Sequence, residues 1–299
     1  MSPPWSSRAA RPRSSAGCSW RTCSTGARAW PRDTRYAVSA ADYPYFAPPP
    51  IGLAHRGGAA HPANVGIENT LAAFRTAVEL GFRYLETDVH ATRDGRLVAF
   101  HDEHLDRVTD RVGAIANLPW REVAAARIGG REPIPTVDEL LDAFPDTRIN
   151  IDIKAPGAVA PLWETIRAHA AYDRVCVGSF SNRRLQAFRR LAGARVATAA
   201  GQVGTAALRY LPERVSALAH SPGQVLQIPT THEVRGRTLA LVTPGLVAAA
   251  HRFGMQVHVW TIDDRDEMER LLDLGVDGIV SDRIDVLRDV LTARGAWPT

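Results

Sequence analysis

"YLETDVHATRDGRLVAFHD", residues 84–102, decides the fold, because it reads either as two parallel strands or as one hairpin. Only "HATRDGR" separates the apolar runs "YLETDV" and "LVAFHD". A parallel crossover needs about a dozen residues or more. Asp94-Gly95 is a hairpin turn pair. The segment therefore reads as one strand that continues into an antiparallel hairpin, which brings His101 back towards Asp88.

With that run set aside, eight short apolar runs remain: "IGLAH" (51–55), "YLETDV" (84–89), "RINIDIK" (148–154), "VCVGSF" (175–180), "RVATAA" (195–200), "VLQIP" (225–229), "VHVWTI" (257–262) and "GIVSD" (278–282). Helical patterns lie between most of them, namely "ENTLAAFRTAVEL", "TVDELLDAF", "APLWETIRAHA", "NRRLQAFRRLA", "TPGLVAAAHRFG" and "DRDEMERLLDLG". Thr136 and Glu139 make a capping box for the second. Residues 201–224 carry only a weak helical signal. Eight strands with helical crossovers predict an α/β fold, a (β/α)8 TIM barrel with a hairpin insertion after strand two.

In such a barrel the strand C-termini form the active-site rim. Strand one ends in His55 and Arg56, and strand two carries Glu86 and Asp88 on one face. The hairpin returns His101 and Asp102, and strand three carries Asp152 and Lys154 on one face. Three carboxylates (Glu86, Asp88, Asp152) converging on a barrel interior repel one another, and a divalent cation removes that cost. All-oxygen ligands favour a hard ion, Mg²⁺ or Ca²⁺. His55 and His101 suit acid and base, and Arg56 and Lys154 suit an anionic substrate. The set points to cleavage of a phosphodiester. Lys154 is also the only lysine in the chain; the other 35 of the 36 basic residues are arginine.

The motifs "AHRGG", "ENTLAAF", "LETDVHATRDGRLVAFHDEHLDRVTD", "NIDIK", "VGSFS", "VWTID" and "GVDGIVSDR" stand in this order over roughly residues 51–290. In this the chain resembles the glycerophosphodiester phosphodiesterase family. The resemblance implies a (β/α)8 barrel that hydrolyses deacylated phospholipids, such as glycerophosphocholine, to glycerol 3-phosphate and an alcohol, with Mg²⁺ or Ca²⁺. It implies that His55 and His101 are the acid/base pair, that Glu86 and Asp88 are metal ligands, and that Arg56 binds phosphate. Lys154 matches the lysine after the third carboxylate. Glu68 and Asn69 of "ENT" resemble site residues, and Trp260 resembles an aromatic at the substrate mouth. Asp152 stands where the family usually has Glu, and Ile67 where Pro is common. The link "AAHPANVGI" is slightly long and carries His61. The alternative on the same barrel is a lysophospholipase D or sphingomyelinase D type phosphodiesterase or lyase.

Residues 1–50 hold seven Arg and two Asp, so the remaining 249 residues hold 29 basic and 30 acidic groups. The body therefore has no charge excess for nucleic acid, and the expected partner is a small-molecule glycerophosphodiester. Residues 1–45 are expected to be a disordered leader or a mis-assigned start, with the barrel in 46–299. "VSAADYPYF", from Val38, would make a natural beginning. The leader has no apolar signal core, and no run reaches the roughly 18 apolar residues of a membrane helix. The expectation is a cytoplasmic protein without stable membrane insertion. Cys176 is the only cysteine in the body, which excludes an internal disulfide framework there.

Overall fold

A computed structural model describes residues 39–211, 222–234 and 236–297. The strands are β1 (Ile51–His55), β2 (Tyr84–Ala91), β3 (Leu97–Ala99), β4 (Arg127–Ile128), β5 (Glu132–Pro133), β6 (Arg148–Ile153) and β7 (Val175–Gly178). They continue with β8 (Ala197–Thr198), β9 (Val225–Ile228), β10 (Thr231–Val234), β11 (Arg237–Ala240), β12 (Gln256–Val259) and β13 (Gly278–Ser281). Eight of them form one parallel series in the order β8-β7-β6-β2-β1-β13-β12-β9. A parallel bridge between Ala199 and Val225 joins the first of the series to the last, so the sheet closes into a barrel. These eight are the eight expected runs. The ninth, β3, pairs antiparallel with β2 through Val89 opposite Ala99 and Ala91 opposite Leu97. The turn between them uses Gly95 at φ +83°, a conformation that favours glycine.

Helices α1 (Leu71–Glu79), α2 (Trp120–Val123), α3 (Val137–Ala143), α4 (Val159–Ala168) and α5 (Asn182–Ala192) cover the first half of the barrel and the insertion. They are followed by α6 (Gln202–Tyr210), α7 (Pro244–Arg252), α8 (Arg265–Asp273) and α9 (Ile284–Ala293). The capping box of α3 is formed, with Thr136 Oγ1 accepting from Glu139 N at 3.2 Å and Glu139 Oε2 accepting from Thr136 N at 2.8 Å. Buried strand residues and the inner faces of the helices make one continuous apolar core. Among the described residues no helix is long and apolar enough to cross a membrane.

Two regions depart from the sequence reading. Residues 39–45 belong to the body, so the expected boundary at residue 45 is corrected. Tyr43 and Tyr45 are buried, Tyr84 Oη donates to the Tyr45 carbonyl at 2.7 Å, and Ala40 N donates to the Gly254 carbonyl at 2.8 Å. The rest of the expected leader, residues 1–38, lies outside the described residues. The hairpin insertion is also larger than a hairpin. Phe100, Leu105, Ile115, Val123, Ile128 and Ile134 close a second small core around β3, α2, β4 and β5.

His258 on β12 is fully buried, its Nε2 lies 2.9 Å from Gln256 Oε1, and its Nδ1 has no partner. Burial presses its pKa down to about 3. The unfolded chain binds this proton near pH 6.5 and the folded chain does not, so stability is present above that pH and is lost as pH falls towards 3. The expected loss is about 1.4 kcal/mol per pH unit below that point. Urea unfolding of the parent and of His258→Gln, measured across pH 4–7, should show that slope in the parent only; equal slopes would contradict it.

Candidate active site

Strand register assembles the rim. His55 is the neighbour of Glu86 across β1 and β2, and Asp88 is the neighbour of Asp152 across β2 and β6. Alternation then turns Glu86, Asp88, Asn150 and Asp152 to one side of the sheet. His101 follows β3, whose pairing with β2 folds it back as expected. His55, Arg56, Glu86, Asp88, His101, Asp152, Lys154 and Trp260 all line one cavity of about 570 Å³.

Each histidine is oriented by a carboxylate. His55 Nδ1 lies 2.8 Å from Asp282 Oδ1, and its Nε2 is 3.8 Å from Glu86 Oε2. His101 Nδ1 lies 2.6 Å from Asp102 Oδ1. A carboxylate only accepts, so each Nδ1 carries the proton and each Nε2 is free to exchange one. The glycines of "HRGG" make the turn after β1. Gly57 and Gly58 have φ of +86° and +89°, and a Cβ on Gly58 would stand 2.6 Å from Ile284. Asn64 pins this loop by donating to the Gly57 carbonyl at 2.9 Å.

Lys154 Nζ stands between two strands' carboxylates, 2.9 Å from Asp88 Oδ1 and 2.8 Å from Asp152 Oδ2. The contact to Asp152 is an ion pair outside hydrogen-bond geometry, and Asp152 Oδ2 is left without a hydrogen-bond partner. Arg56 Nε is 3.2 Å from Asp88 Oδ2. Among the described residues, no three His, Cys, Asp or Glu side chains are grouped closely enough to enclose a metal ion. The donor set nevertheless suits a hard cation: Glu86, Asp88 and Asp152 are buried and all three line one cavity.

Glu68 and Asn69 are not on the cavity wall; they brace it. Glu68 accepts from Arg56 Nη1 at 3.0 Å and from Arg107. Asn69 accepts from Thr87 Oγ1 at 2.8 Å and donates to Asp88 Oδ2 at 3.4 Å. Neither caps α1, because Thr70 takes that role by accepting from Ala73 N. His61 caps a short turn at Pro62–Asn64 and stays off the cavity wall.

Residues 55–286 match the glycerophosphoryl diester phosphodiesterase family. A relative from Mycobacterium tuberculosis named "Probable glycerophosphodiester phosphodiesterase 2" is 43% identical over 249 residues, which are 83% of this chain and 92% of the relative. A lysophospholipase D from Homo sapiens is 28% identical over 80% of this chain and 85% of its own. A solved phosphodiesterase from Oleispira antarctica, in complex with the product sn-glycerol-3-phosphate, superposes with a TM-score of 0.67 at 24% identity, over 82% of this chain and 97% of its own. The chain belongs to the glycerophosphoryl diester phosphodiesterase family. It is accordingly an enzyme of the phosphodiester hydrolase class.

The electrostatics of this phosphodiesterase rim follow from burial. Burial, followed by Asp88, pushes Glu86 up to about 7. Burial also raises Asp152. For Asp88 the penalty of burial is outweighed by Lys154 and Arg56, and its pKa is lowered. Burial alone would lower His55 and Lys154, but the carboxylates around each outweigh it and both are raised. Arg107 holds Asp102 down at about 2.

The sequence reading passed over several participants. Asp282 closes the run "GIVSD", and the structure makes it the partner of His55. Phe180, at the end of "VCVGSF", lies 5.5 Å below Lys154 Nζ and packs edge-on against Trp260 at 5.4 Å. Asn150 accepts from Gln227 Nε2 at 2.7 Å, a link between strands distant in sequence.

Lysine fits between Asp88 and Asp152 as a compact ammonium, whereas the planar fork of arginine is too broad for the gap. Lys154→Arg should keep the fold and lose on the order of 10²-fold in kcat, comparable to one transition-state donor. Steady-state kinetics with circular dichroism check this, and an arginine variant within about threefold of the parent would show that charge alone suffices.

Proposed function

We propose that this barrel hydrolyses glycerophosphodiesters to glycerol 3-phosphate and an alcohol, with His55 and His101 as the acid/base pair. The observation that supports it most is the pair of imidazoles, each oriented at Nδ1 by a carboxylate and each on the wall of one cavity. In the reaction a water oxygen bonds to phosphorus and the bond from phosphorus to the alcohol oxygen breaks. One histidine takes the water proton, and the other gives a proton to the departing alkoxide. Arg56 and Lys154 face the phosphoryl oxygens and stabilise charge that grows in the transition state. Glu86, Asp88 and Asp152 would hold Mg²⁺ or Ca²⁺, which would supply further positive charge to those oxygens.

A second reading rests on the far side of the cavity. Among the described residues the cavity wall also carries Phe180, Ala200, Tyr210, Ile228, Leu241 and Trp260, beside the polar Gln202, Thr205 and His232. Such an arm accommodates the apolar tail of a lysophospholipid, a lysophospholipase D type reaction. Turnover of glycerophosphocholine and lysophosphatidylcholine, compared as kcat/KM with product analysis, separates the two readings and also detects a cyclic phosphate product.

His55→Ala and His101→Ala should each lower kcat by roughly 10²–10⁴. Near-normal turnover in either would remove that histidine from proton transfer. Chelation by EDTA should abolish activity, and Mg²⁺ or Ca²⁺ should restore it; full activity in chelator would remove the cation from the proposal.

A further inference from the structure

The charged groups beside the cavity join through one side chain that does not touch it. Arg107 lies in the insertion after β3, and it turns one edge to Asp102, Nε to Oδ2 at 2.6 Å and Nη2 to Oδ1 at 3.2 Å. It turns the other edge to Glu68, Nη1 to Oε2 at 3.1 Å and Nη2 to Oε1 at 2.7 Å. Asp102 orients His101, and Glu68 holds Arg56, the residue directly after His55. Arg107 is absent from the cavity wall, and all three of its nitrogens are engaged by the two carboxylates. It therefore has no free edge for a phosphate.

We infer that Arg107 is a positioning residue for the phosphodiesterase reaction: by clamping Asp102 and Glu68 in one guanidinium, it fixes the spacing between His101 and the His55–Arg56 pair. The inference rests on the acid/base reading above. The two histidines come from different units, β1 with its following loop and an insertion with its own small core. Their spacing is set by whatever ties those units together at the rim. Two carboxylates facing each other would push the units apart, and a cation between them pulls them in. Only a planar fork offers a two-donor edge to each of two carboxylates at once; an ammonium is a single point of charge. Misplacing a catalytic group by about 1 Å can cost on the order of 10²-fold in rate.

The test is kinetics on Arg107→Ala and Arg107→Lys, with His101→Ala as a control. Arg107→Ala should lose roughly 10–100-fold in kcat with KM within about threefold, and Arg107→Lys should recover only a minor part. The Arg107 side chain is 49% exposed, so the space it leaves is open to solvent. Millimolar guanidinium should therefore raise kcat of Arg107→Ala several-fold and leave the parent unchanged. The inference is overturned if kcat of Arg107→Ala stays near the parent value, or if the loss is carried by KM alone, which would make Arg107 a substrate contact. It is also overturned if the variant is inactive and unresponsive to guanidinium, which would make the residue merely structural. Normal turnover of His101→Ala would instead sink the acid/base reading; an inactive His101→Ala beside an active Arg107→Ala sinks the clamp alone.

Discussion

Lys154 between Asp88 and Asp152 is the contact on which this site depends. A barrel interior is a poor place for charge, because a carboxylate taken out of water loses several kcal/mol of solvation even after relaxation. Here three carboxylates are buried at one rim. The parallel register makes the problem unavoidable, since it sets Asp88 directly beside Asp152. One ammonium at 2.9 and 2.8 Å answers two of the charges at once, and Arg56 answers Asp88 from the other side. Glu86 has no ammonium at that distance, and burial, followed by Asp88, raises its pKa. The same imbalance that costs stability leaves negative oxygen donors facing the cavity, where added positive charge is worth most.

The scaffold explains how such a rim keeps its shape. The pairing of β2 with β6 runs over six residues, from Tyr84 beside Arg148 to Val89 beside Ile153, so the two strands that carry the carboxylates cannot slip without moving every apolar neighbour. At the other end of the strands, Tyr45 is buried and packs edge-on against Tyr84 at 5.4 Å. Function sits where the loops are; the packed ends of the same strands carry stability.

Much of this was legible in the sequence, for one reason. Strands announce themselves by β-branched apolar runs, and residues at the ends of eight such runs fall on one rim. That logic finds His55, Glu86, Asp88, Asp152 and Lys154 without any structure. The hairpin was legible because Asp94-Gly95 has few other uses between two apolar runs. Arg107 was not legible, since "DEHLDRVTD" has no period and its partners Glu68 and Asp102 lie 39 and 5 residues away. The β10–β11 hairpin was hidden because residues 231–233 and 237–240 are all exposed, which removes the alternation that marks a strand. Residues 39–45 looked like leader because their burial comes from contacts with Tyr84 and Gly254, far along the chain. Thr70 was missed as the cap of α1 because Asn69 takes φ +59°, which delays the helix start, and this is invisible in a pattern of letters.

The cavity joins two environments of opposite kind. At one pole stand the charged groups to which the proposed function gives the phosphodiester, the part that every substrate of this class shares. At the other, Phe180, Tyr210 and Trp260 face whatever distinguishes one alcohol from another. The two poles meet at Phe180, whose ring lies under the Lys154 ammonium and against Trp260. An aromatic face attracts that cation while its edge stays apolar. Under the proposed function, binding energy gathered along the apolar arm therefore arrives next to the Lys154 ammonium, where it would hold the phosphorus against the histidines. Energy from a remote group raises kcat only when it is converted into such alignment, and under the proposed function the Phe180–Lys154 contact is where the apolar arm meets the groups to be aligned.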